Sequence, residues 1–188
     1  MRWSLSEGKS EVHAVNADPA VRRIDALCEA DAKALADLLI DCVDGGASVS
    51  FMRPLTRERA LAFWQRVGES AARGERVLLV AEDASGLVGT VQLILDQPEN
   101  QPHRADVAKM LVHRRARRNG WGERLMRAAE EAAQAAGKTL LVLDTASADA
   151  ERLYARLGWQ RVGVIPSYAL LPQGGPCDTT YFYRQLGA

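Results

Sequence analysis

The spacing of hydrophobic and polar positions predicts helices in the first third of the chain and strands after them. Apolar residues at helical intervals predict one helix that stops at Gly45 and a second that begins after Thr56, its predicted N-cap. A short strand over 21–26 precedes them. Alternating apolar runs separated by turn residues then predict an antiparallel meander of three strands, at 77–81, 87–95 and 104–112.

The rest of the chain alternates between helices and strands. An amphipathic helix before Gly137 leads to the apolar run Leu140–Leu143, which has the composition of a strand covered on both faces. A short helix ending at Gly158 and two strands, at 160–165 and 179–186, complete the pattern. Because the strand–helix–strand step over 104–145 implies a parallel pair, the pattern predicts an α/β (α+β) fold with a mixed sheet.

Composition fits one folded domain, residues 21–188, preceded by a weakly patterned N-terminal arm, residues 1–20. The chain has 188 residues, of which 47% are hydrophobic and 26% charged. Lys plus Arg equals Asp plus Glu at 24 each, and a zero net charge favours neither a nucleic-acid nor a membrane partner. No apolar run reaches the roughly 20 residues of a membrane helix, and the N-terminus lacks a signal peptide pattern.

The cysteines and histidines argue for a reducing compartment and against a metal. Cys28, Cys42 and Cys177 are odd in number and widely spaced, which suits neither a disulfide framework nor a CxxC metal site. The three histidines show no ligand spacing. We therefore expect a cytoplasmic protein without a metal site.

The segment Arg117-Arg118-Asn119-Gly120-Trp121-Gly122 lies between a predicted strand and a predicted helix. A helix N-terminus has unpaired N–H groups and partial positive charge, glycines allow close backbone approach, and arginines bind phosphates. The segment therefore predicts a pyrophosphate site. Three other interpretations stay open: a solvated basic surface, a nucleic-acid patch, and glycines that only permit close helix packing.

At this junction the chain resembles the GNAT superfamily of acyl-CoA-dependent N-acyltransferases, whose signature is Q/R-x-x-G-x-G/A. Residues 150–159 also look like the family's A-x-x-L-Y-x-x-L-G-F segment, with Trp159 in place of the usual Phe. The resemblance covers residues 21–186. It implies a GNAT-like acyl-CoA N-acyltransferase fold, with about six or seven strands flanked by about four helices, and acetyl-CoA as cosubstrate.

A closer likeness is to the branch of the family that contains the tabtoxin resistance acetyltransferase. It rests on Ser50–Met52, His103–Asp106, Leu143–Thr145 and the Pro166-x-Tyr168 segment. That enzyme acetylates an amino-acid-like toxin. Substrate identity transfers poorly within a fold, so the likeness implies an acceptor class and no more.

The resemblance also implies which residues bind coenzyme A. The signature binds the pyrophosphate through backbone amides, and the strand before it and the helix after the next strand contribute further contacts. The implied residues are Met110, Leu111, Val112, Arg117, Arg118, Asn119, Gly120, Trp121, Gly122, Ser147 and Ala150.

Three residues are candidates for the chemistry. Asp106, eleven residues before Arg117, is the first candidate base by resemblance; the alternative is a strand-edge carboxylate paired with Arg104. Asp144 follows a buried strand and either serves the site or caps the next helix. Tyr154 occupies the family's usual thiolate-protonating position, against the alternative of a core tyrosine.

The acceptor pocket is expected between the loop 47–52 and the loop 167–178, shaped by Phe51, Met52 and Tyr168, which could equally be core residues. The leading function is an N-acetyltransferase for the primary amine of a small amino-acid-like metabolite or toxin. A protein or peptide N-acetyltransferase and a non-catalytic acyl-CoA-binding regulator remain alternatives. Similar small acyltransferases are often dimers, so a homodimer is also expected by analogy.

Overall fold

Seven strands form one sheet in the computed structural model of the chain, which describes residues 20–187. The strands are β1 (Val21–Arg23), β2 (Arg76–Asp83), β3 (Gly86–Ile94), β4 (Arg104–Val112), β5 (Leu140–Thr145), β6 (Gln160–Leu170) and β7 (Pro176–Gln185). The helices are α1 (Glu29–Asp44), α2 (Arg57–Ala72), α3 (Trp121–Ala135) and α4 (Ala148–Arg156), and a 3-10 turn covers Arg114–Ala116. The predicted order of elements and mixed sheet are confirmed.

The strand order in the sheet is β1-β2-β3-β4-β5-β7-β6. All neighbouring pairs are antiparallel except β4 and β5, which are parallel as the crossover through α3 predicts. The described part of the chain therefore contains one parallel pair, and it lies near the middle of the sheet.

Helices cover the two faces of the sheet separately. Leu125 and Met126 of α3 are fully buried in a core with Val91 of β3 and Leu141 of β5. On the other face, α2 packs on β2 and α1 on β3 and β4, in a second core that includes Trp64. Each face buries alternate residues of the strands, because successive side chains of a strand point to opposite sides.

The ends of the early helices follow the local signals in the sequence. The Oγ1 of Thr56 accepts a hydrogen bond from the N–H of Arg59 at 3.3 Å, which confirms the predicted N-cap of α2. Gly45 ends α1, and its N–H donates to the carbonyl of Asp41 at 2.9 Å. The loop from Gly46 to Leu55 is therefore held between two defined helix ends.

A bulge and a separation distort the sheet at its centre. Ala108 of β4 lies opposite Gln92 and Leu111 lies opposite Thr90, so two residues of β4, including Lys109 with φ +51°, oppose one residue of β3. On its other side, β4 pairs with β5 only over Arg104–Asp106. Beyond these residues the two strands separate and leave a crevice.

Two boundary predictions differ from the structure. Helix α3 begins at Trp121 rather than near Asn119, since Gly120 takes a left-handed conformation (φ +80°) as its N-cap. The loop expected over 167–178 is mostly strand, because β6 runs to Leu170 and β7 begins at Pro176. Pro166 is tolerated inside β6 because β6 is an edge strand, where a missing N–H breaks no ladder.

The remaining expectations concern the burial of β5, the N-terminal arm and membrane-spanning helices. The run Leu140–Leu143 is fully buried only at Leu141 and Leu143, since the opposite side of β5 faces a partly open surface. Nearly all of the predicted N-terminal arm lies outside the described residues. Among residues 20–187, no helix has the length and apolarity needed to cross a membrane.

Candidate active site

The crevice between β4 and β5 widens into a cavity of about 870 Å³. Its walls come from β4 residues 107–112, β5 residues 143–145, the loop 45–50 and the facing ends of α3 and α4. Where β4 leaves β5, backbone groups of β4 lose their strand partners and can bind a ligand instead. This is also the crevice at strand ends where ligands of open α/β sheets bind.

The N-terminus of α3 lies in the cavity wall without a side-chain cap. The first N–H groups of a helix lack intrahelical partners, so they and the helix dipole favour an anion there. The left-handed conformation of Gly120 (φ +80°) is what favours glycine at this position. Close packing is not the reason, since a Cβ there would meet nothing within 4 Å. Gly122 is needed for packing, since a Cβ would lie 3.0 Å from Leu153 Cδ2. The packing interpretation therefore holds for Gly122 and not for Gly120.

The arginine run divides into two structural and two cavity-lining members. Arg114 Nε lies 2.8 Å from an Asp41 oxygen, and Arg115 pairs with Asp83 at 2.7 Å. Arg117 and Arg118 line the cavity, and Arg117 Nε donates to the carbonyl of Val112 at 3.1 Å. Two of the four cations are thus neutralised by carboxylates, and the other two are available to a ligand phosphate.

The predicted coenzyme A residues come together at this cavity. All of them except Asn119 line it: Met110, Leu111, Val112, Arg117, Arg118, Gly120, Trp121, Gly122, Ser147 and Ala150. Ser147 also caps α4, because its Oγ accepts from the N–H of Ala150. Their roles in binding stay predictions that this placement supports.

Asp144 opens onto the cavity from the end of β5. No side chain within residues 20–187 donates a hydrogen bond to its carboxylate. Partial burial and the nearby charge of Asp106 raise the pKa of Asp144 above its ordinary value, against the opposing effect of Lys109. The result is a carboxylate that is accessible, unpaired and more basic than usual.

Asp106 is placed differently. It lies on the same sheet face as Asp144, but it pairs with Arg104, and its second oxygen accepts from Gln97 Nε2 at 3.1 Å. It does not line the cavity. The pairing with Arg104 that the sequence left as the alternative is therefore observed, and Asp144 is the more available of the two carboxylates.

Tyr154 lines the cavity from α4, with its ring packed against Phe182 at 5.7 Å and Trp159 at 6.0 Å. The structure gives its hydroxyl no hydrogen-bond partner among residues 20–187. Burial, with a smaller contribution from Asp144, raises the pKa of Tyr154 well above its ordinary value. The phenol therefore stays neutral at physiological pH and can donate a proton.

The three predicted acceptor residues lie near the cavity but do not line it. Phe51 packs edge-on against Phe63, with ring centroids 5.2 Å apart, so much of it serves as core. Met52 is exposed, and the hydroxyl of Tyr168 accepts from that of Tyr181 at 2.8 Å. The loop over residues 47–53 does meet the β6–β7 turn, since the N–H of Arg53 donates to the carbonyl of Pro172 at 2.8 Å.

Sequence reasoning missed Asp41 and Lys109. Asp41 holds Arg114 from a position 73 residues away in the chain, and no local pattern connects the two. Lys109 lines the cavity at the β4 bulge. Its signal was a lone lysine inside an apolar strand, which the alternation alone does not distinguish from a solvent-facing position.

Comparisons with known proteins agree with this geometry. Residues 74–161 match the family model of the acetyltransferase (GNAT) domain. This match spans β2 to the start of β6 and so includes both predicted motifs. It confirms the predicted class, an acyl-CoA-dependent N-acetyltransferase.

Solved structures of low sequence identity share the fold. An N-acetyltransferase from Staphylococcus aureus Mu50 is 16% identical, with a TM-score of 0.74 over 89% of this chain and 98% of its own. A ribosomal-protein-alanine N-acetyltransferase from Brucella melitensis is 22% identical, with a TM-score of 0.74 over 88% and 99%. A phosphinothricin acetyltransferase from Sinorhizobium meliloti, in complex with acetyl-CoA, is 19% identical, with a TM-score of 0.74 over 89% of each. The predicted GNAT-like fold is confirmed.

We expect Asp41→Asn to destabilise the protein by about 1–2 kcal/mol at pH 7, since a mostly buried carboxylate loses its charge-assisted hydrogen bonds while its partner Arg114 is half exposed to solvent. Burial opposes ionisation of Asp41, but Arg114 and His113 outweigh it and hold the pKa of this carboxyl below its ordinary value. That contribution is present above the unfolded pKa of about 3.9 and is lost as pH falls through the folded pKa.

Urea unfolding of wild type and variant from pH 7 to pH 3 measures this effect. The difference between the two proteins should narrow below about pH 4 as the wild-type carboxyl takes up its proton. Asp83→Asn is the matched control. It removes the carboxylate that pairs with Arg115, and because Asp83 is more exposed than Asp41, the free energy of unfolding should fall less. A difference that does not change with pH would contradict the role of the Asp41 charge.

Proposed function

We propose that this chain transfers the acetyl group of acetyl-CoA to the primary amine of a small amino-acid-like metabolite or toxin by direct attack. One observation carries the proposal: a single cavity joins the uncapped N-terminus of α3 to Asp144 and Tyr154. An anion site, an unpaired carboxylate and a neutral phenol are the parts that transfer from a phosphate-bearing thioester to an amine requires.

The donor end of the cavity suits the pyrophosphate of acetyl-CoA. The N–H groups at the start of α3 and the guanidinium groups of Arg117 and Arg118 supply donors and positive charge. The unpaired backbone of β4 over 108–112 can bind the amides of the pantetheine arm. The acetyl-CoA bound to the Sinorhizobium meliloti acetyltransferase of the same fold supports this assignment.

The chemistry at the other end needs two proton transfers. The amine nitrogen attacks the thioester carbonyl carbon while Asp144 takes the amine proton, directly or through a water. The C–S bond then breaks, and Tyr154 gives its proton to the leaving thiolate. Holding amine and thioester together supplies much of the rate, on the order of 7–11 kcal/mol in ideal cases. Asp106, which is bound to Arg104, contributes indirectly, because its negative charge raises the pKa of Asp144.

The acceptor is small because the acceptor side is partly covered. The loop 47–53 contacts the β6–β7 turn through Arg53 and Pro172, and Ser48 Oγ donates to the carbonyl of Leu170 at 3.3 Å. These contacts narrow the entrance to the cavity, so that a folded protein would reach Asp144 less easily than a small metabolite. Phosphinothricin acetyltransferase as a structural neighbour and the likeness to the tabtoxin resistance branch support an amino-acid-like compound.

Free cysteines are consistent with function in the cytoplasm. A homodimer would use the exposed edge strand β6, where Val162 and Leu170 are 67% and 55% exposed.

We expect release of free thiol from acetyl-CoA when the protein is given a panel of amines, amino acids and short peptides. Small amino-acid-like amines should be acetylated with the highest kcat/KM. A preference for peptides would favour a protein N-acetyltransferase. Binding of acetyl-CoA without turnover of any acceptor would contradict the proposed activity and favour a regulator.

We expect Asp144→Asn to lower kcat about 100-fold or more, in the range typical of a lost general base. The raised pKa of Asp144 places the acid limb of the wild-type pH–rate profile above the ordinary carboxyl value of about 4. In the variant, the part of this limb that belongs to the carboxyl should disappear. Asp106→Asn should lower kcat less and shift the acid limb to lower pH, because it removes a charge that raises the pKa of Asp144; a larger loss than Asp144→Asn would move the base role to Asp106.

We expect Tyr154→Phe to lower kcat about 10- to 100-fold while the Kd for acetyl-CoA stays nearly constant. The substitution removes the hydroxyl and keeps the ring contacts with Trp159 and Phe182. Single-turnover rates and calorimetric binding measure the two quantities. Tyr183→Phe on β7, outside the cavity, is the matched control, and an unchanged rate in Tyr154→Phe would remove the acid role.

A further inference from the structure

Lys109 brings a cation into the cavity at the place where β4 bulges. The bulge gives Lys109 a left-handed conformation (φ +51°), and the residue lines the same cavity wall as Asp144. Its Nζ donates to Ser50 Oγ at 3.2 Å and lies 5.9 Å from the centroid of the Phe63 ring. The ammonium group is therefore held in one position by a hydroxyl and an aromatic ring.

This cation has no carboxylate at salt-bridge distance among residues 20–187, in contrast to Arg22, Arg114 and Arg184, which each pair with an acidic side chain. Its charged neighbours are Asp144, which stabilises the ammonium from a distance, and Arg76, which repels it. Burial lowers the pKa of Lys109, so keeping the charge there has a cost. A half-buried ammonium with one neutral hydrogen-bond acceptor has two further N–H donors to satisfy.

Arg76 adds positive charge on the same face of the sheet. Its Nη1 donates to Gln92 Oε1 at 2.6 Å, but its Nε and the Nε2 of Gln92 are buried without partners among the described residues. Arg76 also lacks a side-chain ion pair there. Asp144 and Lys109 therefore face the same cavity with opposite charges, and Arg76, which does not line the cavity, adds a second positive charge near Lys109.

We propose that Lys109 binds a carboxylate of the acceptor while Asp144 receives the amine of the same molecule. This inference rests on the proposed function and narrows its substrate class to amines that carry a free carboxylate, as amino acids do. Ser50 and Phe63 position the Lys109 ammonium, and Arg76 strengthens the positive field behind it. The oppositely charged pair in the wall is then complementary to a zwitterion.

Acetylation of amino acids and of the matching α-carboxamides by wild type, Lys109→Met, Lys109→Arg and Lys33→Met tests the proposal. The wild type should prefer each acceptor amino acid over its carboxamide. In Lys109→Met the ratio of kcat/KM for acid over amide should fall about 10- to 100-fold, mainly through KM for the acid. Lys109→Arg should keep part of the preference because it keeps the charge.

Two further variants make the result specific. Lys33→Met removes an exposed lysine on α1 that pairs with Glu29 and does not line the cavity. It should leave the ratio of kcat/KM for acid over amide unchanged. Ser50→Ala keeps the ammonium but releases its anchor, so it should lower the ratio less than Lys109→Met does. Urea unfolding midpoints of all variants separate a binding effect from a folding defect.

The outcomes distinguish the two proposals. Equal loss for acid and amide in Lys109→Met, or a wild-type preference for the amide, would overturn the carboxylate subsite while leaving the acetyltransferase function intact. Failure of the wild type to acetylate any member of either series, or any peptide, would overturn the proposed function and the subsite with it.

Discussion

The parting of β4 and β5 is the constraint on which the rest of the site depends. The two strands run parallel for the length of Arg104–Asp106 against Leu140–Val142 and then diverge. Helices on both faces hold this opening in place: α3 packs under it through Leu125 and Met126, and α1 and α2 cover the other face. Since a parallel pair needs a crossover, α3 necessarily begins beside the opening and presents its N-terminus there.

The divergence also explains why the proposed catalytic and binding groups come from distant parts of the chain. Asp144 lies one residue before the end of β5 at the rim of the cavity, and α4, which begins at Ala148, carries Tyr154 into the same space. On the facing strand, the bulge turns Lys109 into the cavity. A continuous ladder between β4 and β5 would close the cavity and leave these side chains without a common ligand.

Electrostatics divides the cavity into two ends of different character. At the end beside the α3 N-terminus, Asp41 and Asp83 neutralise Arg114 and Arg115, so positive charge remains at Arg117 and Arg118. At the end beside β5, burial raises the pKa values of Asp144 and Tyr154, so that Asp144 is more basic than usual and Tyr154 stays neutral.

The sequence alone predicted the order of elements and the mixed sheet, because those depend on local signals. All but one of the residues proposed to bind coenzyme A line a single cavity, and their role in binding stays a prediction. Periodicity gave the strands and helices, and the Arg117–Gly122 segment lies at a strand–helix junction whose chemistry is local. The errors of the sequence prediction also arose from relying on local signals. The alternation of apolar residues could not show that Pro166 lies inside an edge strand rather than beside a loop.

Only the tertiary structure decided which charges are free. Asp106 is bound by Arg104 and Gln97, whereas no side chain among residues 20–187 donates to Asp144, and no spacing along the chain encodes this difference. The pairing of Arg114 with Asp41, 73 residues apart, and the exposure of Lys109 to the cavity are likewise long-range results. The residue types along a chain determine the chemistry available to each side chain. The packing of the folded chain determines which charged side chains pair with one another and which remain available to a ligand.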